Sequence, residues 1–169
     1  MVWYALLILG VALERLAELV VSKRNLAWSR AHGGGGFGKS HYPVMVVLHT
    51  GLLAGCLVEA MALHSPFIPA LGSLMLAIVL AAHGLRWWCI ASLGRQWNTR
   101  VVVVPGAARV AAGPYRFLSH PNYVAVIAEQ AALPLVHTAW ITALVFSVLN
   151  AALLSTPIKI ENTALASLT

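Results

Sequence analysis

Five long apolar runs constrain this chain more than any other feature, at residues 2–21, 43–63, 67–92, 121–136 and 138–154. An α-helix needs ~20 such residues to cross the ~30 Å hydrocarbon core of a bilayer. Of the 169 residues 60% are hydrophobic and 9% charged, and the mean hydropathy is +0.81. A water-soluble domain of this size has no interior large enough to hide that surface. The reading is an all-α, polytopic integral membrane bundle of about five transmembrane helices. It forms one membrane-embedded domain over 1–169, with a cytosolic loop at 93–120 and a tail at 155–169. The last two runs reach only about 25 Å at ~1.5 Å per residue. Pro134 and His137 divide them so closely that a helical hairpin is predicted.

Charge sets the orientation. Lys23, Arg24, Arg30 and Lys39 fall in the first connection and Arg95, Arg100, Arg109 and Arg116 in the third, while the second and fourth carry neither Lys nor Arg. The positive-inside rule makes the basic loops cytoplasmic, the N-terminus external and the C-terminus internal. The formal charge of +6 is accounted for by this asymmetry, and no nucleic-acid partner is expected, because no helix or sheet presents the basic residues together. The first run carries Glu14, Arg15 and Glu18 and lacks a basic flank before it, so it is expected to be retained rather than cleaved as a signal peptide. Cys56 and Cys89 lie in apolar runs with no metal or disulfide spacing and read as small buried hydrophobes. The glycines at 33–36 lack the strand, helix and Lys-Ser/Thr of a phosphate cradle and read as a flexible loop. The six tryptophans read mostly as an interfacial belt.

Ionisable groups inside spans cost roughly 2.5–3.5 kcal/mol each on insertion scales, so they gather in pairs or at sites. Glu14, Arg15 and Glu18 of the first run, His49 of the second, His83 and Arg86 of the third and Asn150 of the fifth share one level in the cytoplasmic half. Glu14 and Glu18 lie one turn apart, as do His83 and Arg86, which makes a Glu–Arg86 bridge between the first and third helices geometrically reasonable. Packing is the expected role of this group. Glu129, two turns beyond His120, is expected either to support a site or to pair with a neighbouring helix. Glu59 stands alone near the outer end, free to reach water, with no role expected.

Chemistry concentrates at the start of the fourth run, Gly113-Pro114-Tyr115-Arg116-Phe117-Leu118-Ser119-His120-Pro121-Asn122-Tyr123. Gly113 and Pro114 make a turn, and Pro121 suits a first helical position with His120 as cap. Such an end offers free backbone N–H groups, and with Arg116, Arg109 and Arg100 nearby it suits an anionic group. Tyr115 and Tyr123 can stack on a flat ring or face a cation. The residues by themselves support an anion-binding membrane site.

The chain also resembles the isoprenylcysteine carboxyl methyltransferase family, in particular its small bacterial members. That family reads R-H-P-x-Y-x-G near the fourth helix and R-I-x-x-E-E-x-x-L after the last. The corresponding blocks are Ser119-His120-Pro121-Asn122-Tyr123-Val124-Ala125 and Pro157-Ile158-Lys159-Ile160-Glu161-Asn162-Thr163-Ala164-Leu165. Leu133-Pro134 and Asn150 fall where the family places a Leu-Pro break and an asparagine, and Gln96-Trp97-Asn98-Thr99-Arg100 and His41-Tyr42-Pro43 extend the likeness upstream.

The resemblance implies a bacterial inner-membrane methyltransferase that takes S-adenosyl-L-methionine from the cytosol and a lipophilic acceptor from the lipid bilayer. His120, Pro121, Tyr123, Tyr115 and Glu161 are the implied cofactor-binding residues, and Glu161, Arg116 and Arg100 the implied catalytic ones. No metal is required. The implied acceptor is a prenylated-cysteine carboxylate or the hydroxyl of a lipid-like polyketide, the latter with a functional link to a polyketide synthase. A hydroxyl needs a base, Glu161 or His120, whereas a carboxylate does not.

The departures are Ser119, Pro157, Asn162 and Ala125, where the family has arginine, arginine, glutamate and glycine. Ser119 removes the arginine that would meet an acceptor carboxylate, which weighs against a prenylcysteine acceptor unless Arg116, about one helical turn earlier, takes over. The chain ends four residues past Leu165, so a shortened cofactor lid is expected. Two other classes stand beside this reading: a sterol-reductase-like membrane oxidoreductase, and a non-catalytic membrane scaffold or transporter subunit.

Overall fold

A computed structural model describes residues 1–37, 42–99, 101–106 and 110–166, with the backbone alone at 36, 37, 42, 101, 103 and 156–166. The described residues form α1 (Val2–Ala31), α2 (Tyr42–Ala62), α3 (Pro69–Leu93), α4 (Pro121–Leu135) and α5 (Trp140–Ala166). Two stretches, Pro43–Ala62 and Pro69–Gln96, are long and apolar enough to cross a membrane, while the apolar part of α5, Trp140–Ser155, is shorter. Leu6, Leu9, Leu13, Leu16 and Val20 of α1 and Leu144 and Val148 of α5 are exposed. Outward apolar rows of this kind suit hydrocarbon and not water.

Prolines and left-handed residues set several helix ends. Pro69 and Pro121 open α3 and α4 at positions where the missing N–H costs nothing, and Gly94 ends α3 at φ +52°. Pro134 sits in the last turn of α4. Beyond it Thr138, at φ +53°, donates from Oγ1 to the Pro66 carbonyl at 2.6 Å. Residues 136–139 thus turn the chain tightly into α5, which packs back on α4.

Glu59 is a correction to the expectation of a solitary residue. Its carboxylate accepts the N–H groups of Ile141 at 3.0 Å and Thr142 at 2.6 Å. It therefore caps the N-terminus of α5 from α2, satisfying donors that a helix start leaves open.

An all-α chain was expected, and the structure adds a short antiparallel ribbon, β1 (Gly35–Phe37) on β2 (Val101–Val103), with Gly35 opposite Val103 and Phe37 opposite Val101. Two glycines expected in a flexible loop, Gly35 and Gly36, are strand residues here. The ribbon joins the α1–α2 and α3–α4 connections at one end of the bundle, while Lys23, Arg24 and Arg30, expected in the first connection, lie on α1.

α1 runs ten residues past the expected boundary at 21, to about 45 Å in all at ~1.5 Å per residue. Its last turns are polar yet covered, which the run of hydropathy does not reveal. Asn25 Nδ2 donates to the carbonyls of Gly94 at 3.0 Å and Trp97 at 2.7 Å. Ser22 Oγ lies 2.9 Å from Thr99 Oγ1 and accepts the Thr99 N–H at 3.0 Å. This clamp buries Trp97, which is thus no part of an interfacial belt. At the opposite end, Tyr4, Ile8, Val11, Leu52, Cys56, Ala60, Val79 and Leu133 make the apolar core, and the Tyr4 hydroxyl donates to the Leu133 carbonyl at 3.1 Å. Both cysteines are buried and free, as expected.

Candidate active site

The site is assembled where α3 ends and α4 begins. Gly113 adopts φ +58°, and a Cβ there would lie 2.1 Å from Ser92 Oγ and 3.0 Å from Trp88 Nε1. Only glycine allows the backbone so close to α3 in that conformation. The following 3-10 turn, Gly113–Arg116, buries Pro114 and brings the Tyr115 hydroxyl within hydrogen-bonding reach of the Cys89 thiol. Arg116 stays exposed, its guanidinium carbon 5.8 Å from the centre of the Phe117 ring. Phe117 is itself 74% exposed.

His120 is the residue before α4, as expected, but its imidazole makes no capping bond to the helix. Its carbonyl accepts the N–H groups of Tyr123 at 3.1 Å and Val124 at 3.3 Å, which starts the helix and leaves the ring for other contacts. The His120 and Tyr123 rings face each other with centroids 5.6 Å apart and planes tilted by 41°. Pro121 is buried beneath them.

The structure thus brings together His120, Pro121 and Tyr123, with Tyr115 and Arg116 on the adjoining turn. Arg100 and Arg109 lie outside the described residues, as does the side chain of Glu161. The backbone carrying Glu161 is described: α5 continues as a helix through the tail expected at 155–169 as far as Ala166. Because α4 and α5 pack together in opposite directions, the first turn of α4 and the last turns of α5 lie at the same end of the bundle.

Beneath this end lies a buried ionic network. Arg86 Nη2 donates to Glu129 Oε2 at 2.7 Å, Arg15 pairs with that same oxygen and with Glu18 Oε2 at 2.6 Å, and Arg86 Nε lies 3.4 Å from Glu18 Oε1. Two arginines and two glutamates from α1, α3 and α4 alternate around a closed ring, so each charge faces two of opposite sign. Glu14 pairs with His83 and accepts from Trp87 Nε1 at 2.6 Å, while His49 Nε2 lies 3.2 Å from Gln130 Nε2. The expected Glu–Arg86 bridge is made by Glu18. Of the two roles open to Glu129, pairing between helices is the one observed.

Sequence reasoning gave two carboxamides no part in the site. Asn122 Oδ1 and Asn150 Oδ1 are buried and have no hydrogen-bond partner among the described residues. Asn122 occupies a variable place in its motif, and Asn150, although it falls where the family has an asparagine, was expected only to pack. Neutral acceptor oxygens without donors fit a ligand that bears cationic groups. S-adenosylmethionine, with an ammonium and a sulfonium, is such a ligand.

Comparison with known proteins agrees with the residue blocks. The isoprenylcysteine carboxyl methyltransferase (ICMT) family matches residues 75–167, a segment that includes both blocks. The chain is 37% identical over 166 residues to "Uncharacterized protein YpbQ" of Bacillus subtilis (strain 168), covering 98% of this chain and 96% of that one. No solved structure matches significantly. A family match over more than half the chain, with a relative similar along nearly its whole length, makes this protein a member of the isoprenylcysteine carboxyl methyltransferase family, membrane proteins whose common activity is methyl transfer.

Proposed function

We propose that the chain is an S-adenosyl-L-methionine-dependent O-methyltransferase, embedded in a bacterial inner membrane with its N-terminus outside and its C-terminus cytosolic. Its acceptor is lipophilic: a prenylcysteine-type carboxylate or the hydroxyl of a lipid-like polyketide. One observation carries the reading: His120 and Tyr123 meet at the start of α4, at the same end of the bundle as the helix that bears Glu161. The ribbon supports the orientation, because it keeps the α1–α2 and α3–α4 connections together at that end, beside the basic last turns of α1.

Bound S-adenosylmethionine supplies an activated methyl group. The chain's residues have to align the acceptor oxygen with that methyl and keep water away, which is where most of the rate enhancement of such a displacement arises. Tyr123 and His120 hold the cofactor, Arg116 draws an anionic group to the interface, and Glu161 or His120 takes the proton when the acceptor is a hydroxyl.

Membranes containing the protein, given methyl-tritiated cofactor with either an S-farnesyl cysteine analogue or a long-chain phenol, should yield organic-soluble tritium. Alkali releases methanol from a methyl ester and leaves an aryl methyl ether intact, so one hydrolysis step tells the two acceptors apart. Absence of label with every lipophilic acceptor, from protein that binds the cofactor, would count against this function.

A further inference from the structure

α4 and α5 pack together, and between them they carry three carboxamides with buried atoms. Asn122 and Gln130 lie two turns apart on one face of α4. On α5, Asn150 belongs to a buried stripe with Ala143 and Leu154, while Thr142 and Phe146, further round, meet Gly55 and Gly51 of α2. The contacts of His49 with Gln130 and of Gly51 with Phe146 set the register. They place Asn150 between the levels of Gln130 and Asn122.

All three have a buried amide oxygen without a hydrogen-bond partner among the described residues: Asn122 Oδ1, Gln130 Oε1 and Asn150 Oδ1. The Gln130 amide nitrogen is engaged by His49. Asn150, only 2% exposed, makes no side-chain hydrogen bond to any described residue. A buried acceptor without a donor destabilises the protein that contains it, and an apolar side chain of similar size would not. A group held against stability at the mouth of a site is expected to act on a ligand.

We infer that Asn150, together with Asn122, selects the cofactor by receiving the cationic methionine half of S-adenosylmethionine on its carboxamide oxygen. This rests on the methyltransferase reading above. A neutral oxygen suits the place better than a carboxylate, which would be a competing nucleophile beside an activated methyl group. Two groups share the chemistry, the ammonium and the sulfonium, and three ligands separate them. S-adenosylmethionine has both, S-adenosylhomocysteine only the ammonium, and methylthioadenosine neither.

The experiment is calorimetric titration of detergent-purified wild type and Asn150→Leu with each ligand, alongside thermal unfolding without ligand. The expected result is a variant that melts at or above the wild-type temperature, binds S-adenosylmethionine at least tenfold more weakly and binds methylthioadenosine unchanged. Unchanged affinity for S-adenosylhomocysteine assigns the contact to the sulfonium, and a parallel fall assigns it to the ammonium. Should leucine crowd its neighbours, Asn150→Ala carries the same expected pattern. The inference is overturned if the variants bind all three ligands like wild type, or lose all three in proportion. Wild-type protein that binds none of the three overturns the methyltransferase reading itself.

Discussion

Arg86 Nη2 of α3 reaches Glu129 Oε2 of α4 at 2.7 Å, on the oxygen that Arg15 of α1 also occupies. One carboxylate oxygen thereby ties the helix that begins at His120 to two others. In an apolar bundle an ion pair of this kind is weak evidence for stability but good evidence for a fixed register, because breaking it leaves an uncompensated charge.

Glu129→Gln leaves two arginines sharing Glu18. The loss should be about 3–5 kcal/mol, seen as a large fall in the unfolding temperature of purified protein. Replacing both partners, Arg86→Met with Glu129→Leu, keeps the Arg15–Glu18 pair balanced and should cost less than the single change. A double variant that falls as far as the sum of its singles contradicts the closed ring.

Glu59→Ala removes the acceptor for two amides at the start of α5. Caps of this type contribute about 1 kcal/mol, so a modest drop in melting temperature is expected with cofactor affinity unchanged. No change in stability would mean that water replaces the carboxylate fully.

Gly113→Ala puts a methyl group into Ser92 at a positive φ. The strain should be roughly 1–3 kcal/mol and should displace the turn that carries Tyr115 and Arg116. The measurement is the Michaelis constant for cofactor, expected to rise several-fold. Adding Ser92→Ala relieves the contact and not the backbone conformation, so only part of the loss should return.

Ser119→Arg restores the arginine that the family has before the histidine. Turnover of a carboxylate acceptor should rise about tenfold relative to a phenol, the scale of one charge-assisted hydrogen bond of ~1.5 kcal/mol. An unchanged ratio of the two rates would show that this position does not read the acceptor.

Much of the fold was legible because each signal was local. Apolar length announced α3 and Pro121 the start of α4, and His120, Pro121 and Tyr123 stand together because four consecutive residues at a helix start have little choice. Long-range partners were not legible. The polar end of α1 read as a loop since Ser22 and Asn25 find their partners more than 65 residues away. Glu59 looked solitary since its partners are backbone amides, which have no signature in the side-chain sequence. The ribbon was missed because three residues per strand are too few for a periodic pattern, and β1 is glycine-rich.

The central claim is that His120 and Tyr123 form a cofactor site at the start of α4. Titration of purified wild type and His120→Ala with S-adenosylmethionine tests it most directly. The account predicts one-site binding by wild type and at least a tenfold weaker affinity in the variant, with an unchanged melting temperature. Equal affinity in the two proteins, or no binding by wild type, would contradict it.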